Sequence, residues 1–269
     1  LTRFLAFAIA AAACSSSKST APPPPPPPPS TIDAAPAAVV AVDATIEAPS
    51  GPIPETSRVL VTAITKDWDA IGADLALWRR DGVGAWKRER SWRGTVGRTG
   101  LAWGDGLHGA GAPPDRGGPV KREGDGKSPA GVFTLDAAYG YAAAAPSGAR
   151  LPYTAVDDSW RCVDDPRSVN YNKIVDEDRV AKDWSSAEDM RRGDALYTWV
   201  VDVGHNRGAT PGGGSCIFLH VWSGPDGPTV GCTSMARPAI EALLVDLDPA
   251  AHPVLVQLTA AEYDALASA

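Results

Sequence analysis

Two textures divide the chain. Up to about residue 56 it is built from Ala, Pro, Ser and Thr with few large apolar side chains, and from Arg58 onward apolar positions recur with a regular period. Val59-Leu-Val-Thr-Ala-Ile-Thr65 is β-branched and apolar, and Asp74-Leu-Ala-Leu-Trp-Arg-Arg80 alternates, so both read as strands. Residues 86–96 also read as extended. The pair forms a hairpin turning at Asp81-Gly-Val-Gly84. Further strands are expected over residues 131–135, 197–203 and 215–222. After Cys232 the period lengthens: residues 238–247 carry apolar side chains at helical spacing, and Pro249 stops the helix. Residues 254–258 return to strand and 260–266 form a short final helix. Gly- and Pro-rich loops over residues 103–118 and 146–165 connect these elements, and no internal repeat is visible. The pattern predicts one mainly β domain with a few helices over residues 57–269.

The first segment has a different logic. Arg3, the apolar run from Phe4 to Ala13 and the small residues behind it read as an export signal over residues 1–13. Ending in Ala-Ala-Ala-Cys14, it resembles the lipobox of bacterial lipoproteins. That implies cleavage before Cys14, lipidation of its thiol, and a membrane attachment through the lipid in the cell envelope. Residues 14–56 cannot bury enough apolar surface to offset ordering and are expected to be disordered. The Pro22 to Pro29 run within them favours a polyproline II stalk about 25 Å long. No stretch reaches the roughly 20 apolar residues of a spanning helix.

Net charge is −7 and no long basic run occurs, which argues against nucleic acid as a partner. Nine Trp residues supply apolar area for a core and suit sites that hold sugars or peptides.

Four cysteines carry the candidate chemistry. With Cys14 lipidated, Cys162, Cys216 and Cys232 remain in an oxidising compartment, and an odd count leaves one thiol over. Spacing does not say which two join. Cys232 lies in Thr229-Val-Gly-Cys-Thr233, a glycine turn expected to lead into a helix near Met235, where a helix N-terminus and a nearby base would lower its pKa. Context therefore favours a Cys162–Cys216 disulfide and a free Cys232, the alternative being both partners buried and reduced. His220 lies near the end of an apolar strand. A hairpin-like excursion through Ser223-Gly-Pro-Asp-Gly-Pro228 could return Cys232 to its side, the pairing that nucleophilic catalysis needs. Gly231 would let backbone approach a substrate, and N–H groups there could hold an oxyanion.

His220-Val-Trp-Ser-Gly-Pro and Pro228-Thr-Val-Gly-Cys-Thr-Ser-Met235 resemble the catalytic motif of YkuD-type L,D-transpeptidases, in the branch with a T-x-G-C signature. The segments 121–133, 162–175 and 214–220 are similar to that branch too. The resemblance implies a YkuD-like β-sandwich or mixed-sheet catalytic domain, with Cys232 as nucleophile and His220 as base. It matches Thr229 and Gly231 to the turn beside the oxyanion hole, with Thr233 in support. Asn206, Trp222, Tyr171 and Asn172 are the candidates for bordering substrate. Where the commoner motif has a second His and an Arg, this chain has Val230 and Ser234, so another cation is expected to meet the substrate carboxylate, with Lys127 the candidate. The implied partners are peptidoglycan stem peptides, and no cofactor or metal is implied. The reaction would be acyl transfer from a tetrapeptide stem with loss of D-Ala, or L,D-carboxypeptidase action if water accepts.

Two readings of other classes stand beside it. One is a Cys₂His₂ zinc site from His205, Cys216, His220 and Cys232, whose spacing lacks the tight knuckle of structural zinc. The other is a non-catalytic peptidoglycan-binding lipoprotein. His108 and His252 read as loop residues, and Asp164-Asp165 before Pro166 as turn formers.

Overall fold

The computed structural model describes residues 52–267. The export segment, Cys14 and the stalk up to residue 51 lie outside the described residues. Packing reaches slightly ahead of residue 57: Ile53 lies against the core, and Arg80 donates to the carbonyls of Pro54 and Ser57.

The first three strands follow the hydrophobic pattern: β1 (Val59–Thr65), β2 (Gly72–Arg79) and β3 (Lys87–Thr95). β2 and β3 pair antiparallel, and Gly84 N–H closes the turn on Asp81 O at 3.0 Å. Next come β4 (Leu101–Trp103), β5 (Asp105–Gly106) and β6 (Gly109–Ala110). β7 (Ser128–Gly140) is followed by the short β8 (Tyr153–Ala155), β9 (Trp160–Val163), β10 (Ile174–Asp176) and β11 (Ala187–Asp189). The chain ends through β12 (Val200–Val203), β13 (Phe218–Val221), β14 (Thr233–Met235), α1 (Arg237–Asp246), β15 (Val254–Thr259) and α2 (Ala260–Ala267). The segments expected to be plain loops thus hold strands of two to four residues. Such strands are too short to leave a periodic pattern.

The architecture is mainly β with two helices, and its main sheet closes into a mixed eight-stranded barrel. Around the ring the order is β12-β13-β14-β3-β2-β1-β15-β7, and β7 pairs again with β12. Closure depends on the length of β7, which meets β15 along residues 131–134 and β12 along residues 135–139. Full closure removes the exposed edges that an open sheet would leave. β1–β15 and β13–β14 are parallel pairs. Pro238 opens α1 in its first turn, where its missing N–H costs nothing. Ile240, Leu243 and Leu244 of α1 then pack into the core.

Beside the barrel lies a three-stranded sheet, β10-β9-β11. Buried apolar residues form two clusters: one fills the barrel, and a smaller one lies between the barrel wall and this small sheet. No helix among the described residues is long and apolar enough to cross a membrane.

Candidate active site

Strand alternation builds the site. Successive side chains on a strand face opposite ways, so Leu219 and Val221 of β13 and Met235 of β14 enter the barrel core. Phe218 and His220 take the other face. His220 is level with Ser234 across the parallel β13–β14 ladder, which places Cys232, two residues earlier, beside Phe218 on that same outer face. Phe218 N–H donates to Cys232 Sγ at 3.4 Å, and the thiol donates to Cys216 O at 3.4 Å. Cys232 is a free, buried cysteine, and it shares one cavity with His220.

Two expectations about the nucleophile's surroundings are corrected. Cys232 does not stand at a helix N-terminus, because β14 intervenes and α1 opens only at Arg237. Met235 belongs to β14 because this segment is paired on both sides, with β13 and β3. The Ser223 to Pro228 excursion is likewise a crossover between parallel strands rather than a hairpin.

The thiol's pKa accordingly moves the opposite way from the one expected. Burial, with the Glu188 carboxyl nearby, pushes Cys232 up to about 12. Burial brings His220 down to about 4. His220 Nδ1 lies 2.7 Å from Val221 O; a carbonyl only accepts, so Nδ1 carries the proton and Nε2 is left as the basic nitrogen. At neutral pH the resting pair is a thiol and a neutral imidazole.

The turn before Cys232 is tied down by hydroxyls. Thr229 Oγ1 donates to Cys232 O at 2.5 Å and accepts Gly231 N–H at 3.1 Å. Ser128 Oγ also donates to Cys232 O, at 2.7 Å, while accepting Gly97 N–H. A Cβ on Gly231 would stand 3.3 Å from Lys127 O, so this turn has little room for a side chain. Thr233 points away, its hydroxyl donating to Gln257 Oε1 inside the barrel.

On the other flank, Cys162 and Cys216 form a disulfide that fastens β9 of the small sheet to the segment entering β13. Cys216 holds a left-handed conformation, φ 56°, rare for a side chain with a Cβ. Asn172 helps hold it: its Oδ1 accepts Cys216 N–H, and its Nδ2 donates to the carbonyls of His205 and Asn206. Tyr171, buried, donates to Glu123 and accepts Gly214 N–H. Asn206 uses its amide on the Thr210 and Gly214 carbonyls and its Oδ1 on Thr210 N–H. These three residues shape the approach to Cys216 and do not line the cavities around the thiol.

Two cavities meet at Cys232 and Val230, of about 160 and 240 Å³, each large enough for a side-chain-sized group. The first is lined by Arg98, Lys121, Glu123, Asp164 and Glu188, and the second by Arg192, Tyr197, His220, Thr229 and Ser234. Trp222 is absent from both linings. Lys127 is turned away, its Nζ near Asp69 and the carbonyls of Trp68 and Thr99. The cations that line the cavities at the thiol are Arg98, Lys121 and Arg192; Lys121 is paired with Asp125 at 2.6 Å and Arg192 with Asp194 at 2.9 Å. Glu188, Arg192, Tyr197 and Ser128 were missed in the sequence. They lie in polar or apolar runs with no spacing that singles them out.

The zinc set does not assemble. Cys216 sulfur is bonded to Cys162, and His205 spends Nδ1 on Asp105 N–H and Nε2 on Gly213 O. Among the described residues no group of three or more His, Cys, Asp or Glu side chains gathers to hold a metal. His108 is packed rather than loose, with its ring against Trp103 and Phe133. Searches against family models, curated proteins and solved structures find no match to this chain.

Proposed function

We propose that the chain is a peptidoglycan L,D-transpeptidase with a YkuD-like catalytic domain, exported and held at the cell envelope by lipid on Cys14. The observation that carries the reading is the meeting of His220 and Cys232 in one cavity, the two residues coming from the His220 to Pro225 and Pro228 to Met235 segments that resemble the family motif. The disulfide is compatible with an exported protein.

In this reading His220 Nε2 takes the Cys232 proton as the sulfur attacks the carbonyl between an L-centre and a terminal D-Ala. The imidazolium returns the proton to the leaving amine, and a thioester remains. An amine of a neighbouring stem then attacks the thioester, with His220 again as base. A second cavity beside the thiol suits a reaction that brings two substrates to one sulfur. Arg192, in the cavity with His220, takes the carboxylate-binding role expected of Lys127. General base action by a positioned histidine contributes about 10²–10⁴-fold. If water replaces the amine, the same steps give an L,D-carboxypeptidase.

One observation favours a non-catalytic peptidoglycan-binding protein instead: thiol and imidazole are both neutral at rest, separated by the shifts that burial causes. Incubation with purified muropeptides decides between them. Mass analysis is expected to show loss of D-Ala and an acyl adduct on Cys232, both abolished in Cys232→Ala. Release that survives Cys232→Ala would sink the mechanism, and no release from the unaltered chain would leave the binding reading.

A further inference from the structure

Tyr197 joins three of the polar groups near the thiol, Glu188, His220 and Arg192. It is buried, and its hydroxyl donates to Glu188 Oε2 at 2.9 Å. Its ring meets the His220 imidazole edge-on at 5.2 Å, and the Arg192 guanidinium lies 5.1 Å from the ring centroid. Tyr197 and Cys232 line the same cavity and pack in the same buried cluster, with the phenol proton committed to Glu188 in the resting state. Glu188 is delivered by β11, level with Cys162 of β9, so the disulfide that fastens the small sheet also fixes this carboxyl beside the barrel.

A phenol has one proton to donate. Held by Glu188, it gives the sulfur nothing. Once the thiol proton has moved to His220, the thiolate needs a donor besides Phe218 N–H, because an unpartnered buried charge is costly. We propose that Tyr197 is a third catalytic residue, its O–H turning from Glu188 to the Cys232 thiolate, with Glu188 as the positioning residue that aims and restrains it. The S–H bond breaks, an Nε2–H bond forms on His220, and the phenol keeps its own proton throughout. Glu188 is left facing Arg192, which is also paired with Asp194 at 2.9 Å. Asp164 and Glu123 also face Glu188 and work against its charge, and Lys121 faces the thiol. Burial with these neighbours raises Glu188 to about 7, so near neutral pH its carboxyl is partly neutral and a weaker acceptor for the Tyr197 hydroxyl.

The inference rests on Cys232 being the nucleophile, but its test needs no peptidoglycan. Alkylation of the full chain by iodoacetamide is followed against pH, with peptide mapping to separate Cys232 from Cys14. Tyr197→Phe is expected to slow alkylation of Cys232 by about 10-fold or more, the worth of one hydrogen bond to a charged group, and to move its pH profile upward. Glu188→Gln is expected to act oppositely, speeding alkylation several-fold, and to lose most of that gain when combined with Tyr197→Phe. Loosened packing would expose the thiol and speed alkylation in both variants, so the opposite signs identify the hydroxyl. An unshifted or faster profile in Tyr197→Phe overturns the proposal. Should that variant fail to fold, slower alkylation in Glu188→Gln overturns it as well. Failure to process muropeptides with these alkylation signs intact would count against the transpeptidase reading alone.

Discussion

The two faces of β13 and β14 obey opposite rules. Facing inward, Leu219, Val221 and Met235 are apolar and closed within the barrel, and the one polar group among them, Thr233, is paired with Gln257. Facing outward, Cys232, His220 and Ser234, with Tyr197 and Glu188 brought up to them from other segments, are buried or half-buried polar groups, several with pKa values far from ordinary. Neighbours in sequence, Cys232 and Thr233, therefore belong to different chemistries because a strand turns them to opposite sides. The inner face is built to be stable and the outer face to hold groups that water would otherwise level.

The sharpest test of that division is His220→Gln. Turnover is expected to fall about 10²–10⁴-fold while the folded state persists, measured as D-Ala release beside thermal unfolding. Leu219→Ala, one residue away, should do the reverse: about 2–5 kcal/mol of stability lost in urea unfolding. An equal effect of both changes on stability would erase the contrast.

Next in size is the staple between the outer face and the small sheet. Cys162 and Cys216 are 54 residues apart, and in the chain-entropy picture a loop of that length is worth about 4 kcal/mol. Cys162→Ser should lower unfolding stability by about that amount. It should also increase alkylation of Cys232, since Cys216 O is the acceptor of its thiol proton.

Acid titration separates the faces through linkage. His220 and His205, both brought down to about 4 by burial, stay neutral in the fold while the unfolded chain takes up protons below about 6.5. Their contribution is therefore present above that pH and is lost as pH falls, by roughly 3 kcal/mol each. Glu188, raised to about 7, binds its proton earlier in the fold and opposes them between about 7 and 4.5. The shifts on His108, lowered, and Asp202, raised, oppose each other in turn. Stability should fall from pH 6.5 to 4.5, more steeply in Glu188→Gln and nearly flat in His220→Gln, read as urea midpoints.

The smallest effect is expected at Lys127. Its partner Asp69 is almost fully exposed, so Lys127→Ala should cost less than about 1 kcal/mol and leave KM unchanged. Arg192→Ala, in the cavity with His220, should raise KM. A raised KM for Lys127→Ala would return that lysine to the substrate.

Period and composition by themselves determined β1 to β3, α1, β15 and α2, because each is a continuous apolar, alternating or helically spaced run long enough to be read. Cysteine parity and context pointed to Cys162–Cys216 and left Cys232 free, and motif spacing singled out His220. Only the tertiary structure decided what those residues meet. Closure of the barrel hangs on β7 pairing with two distant strands, and β4 to β6 and β8 to β11 are too short to announce themselves. The wall of Glu188, Tyr197 and Arg192 comes from segments up to 44 residues before Cys232, whose spacing carries no period. The strand in place of a helix after Cys232 was decided by pairing with β13 and β3, which local propensity cannot see. The thiol's raised pKa follows from that burial, a property of the surroundings rather than of the residue.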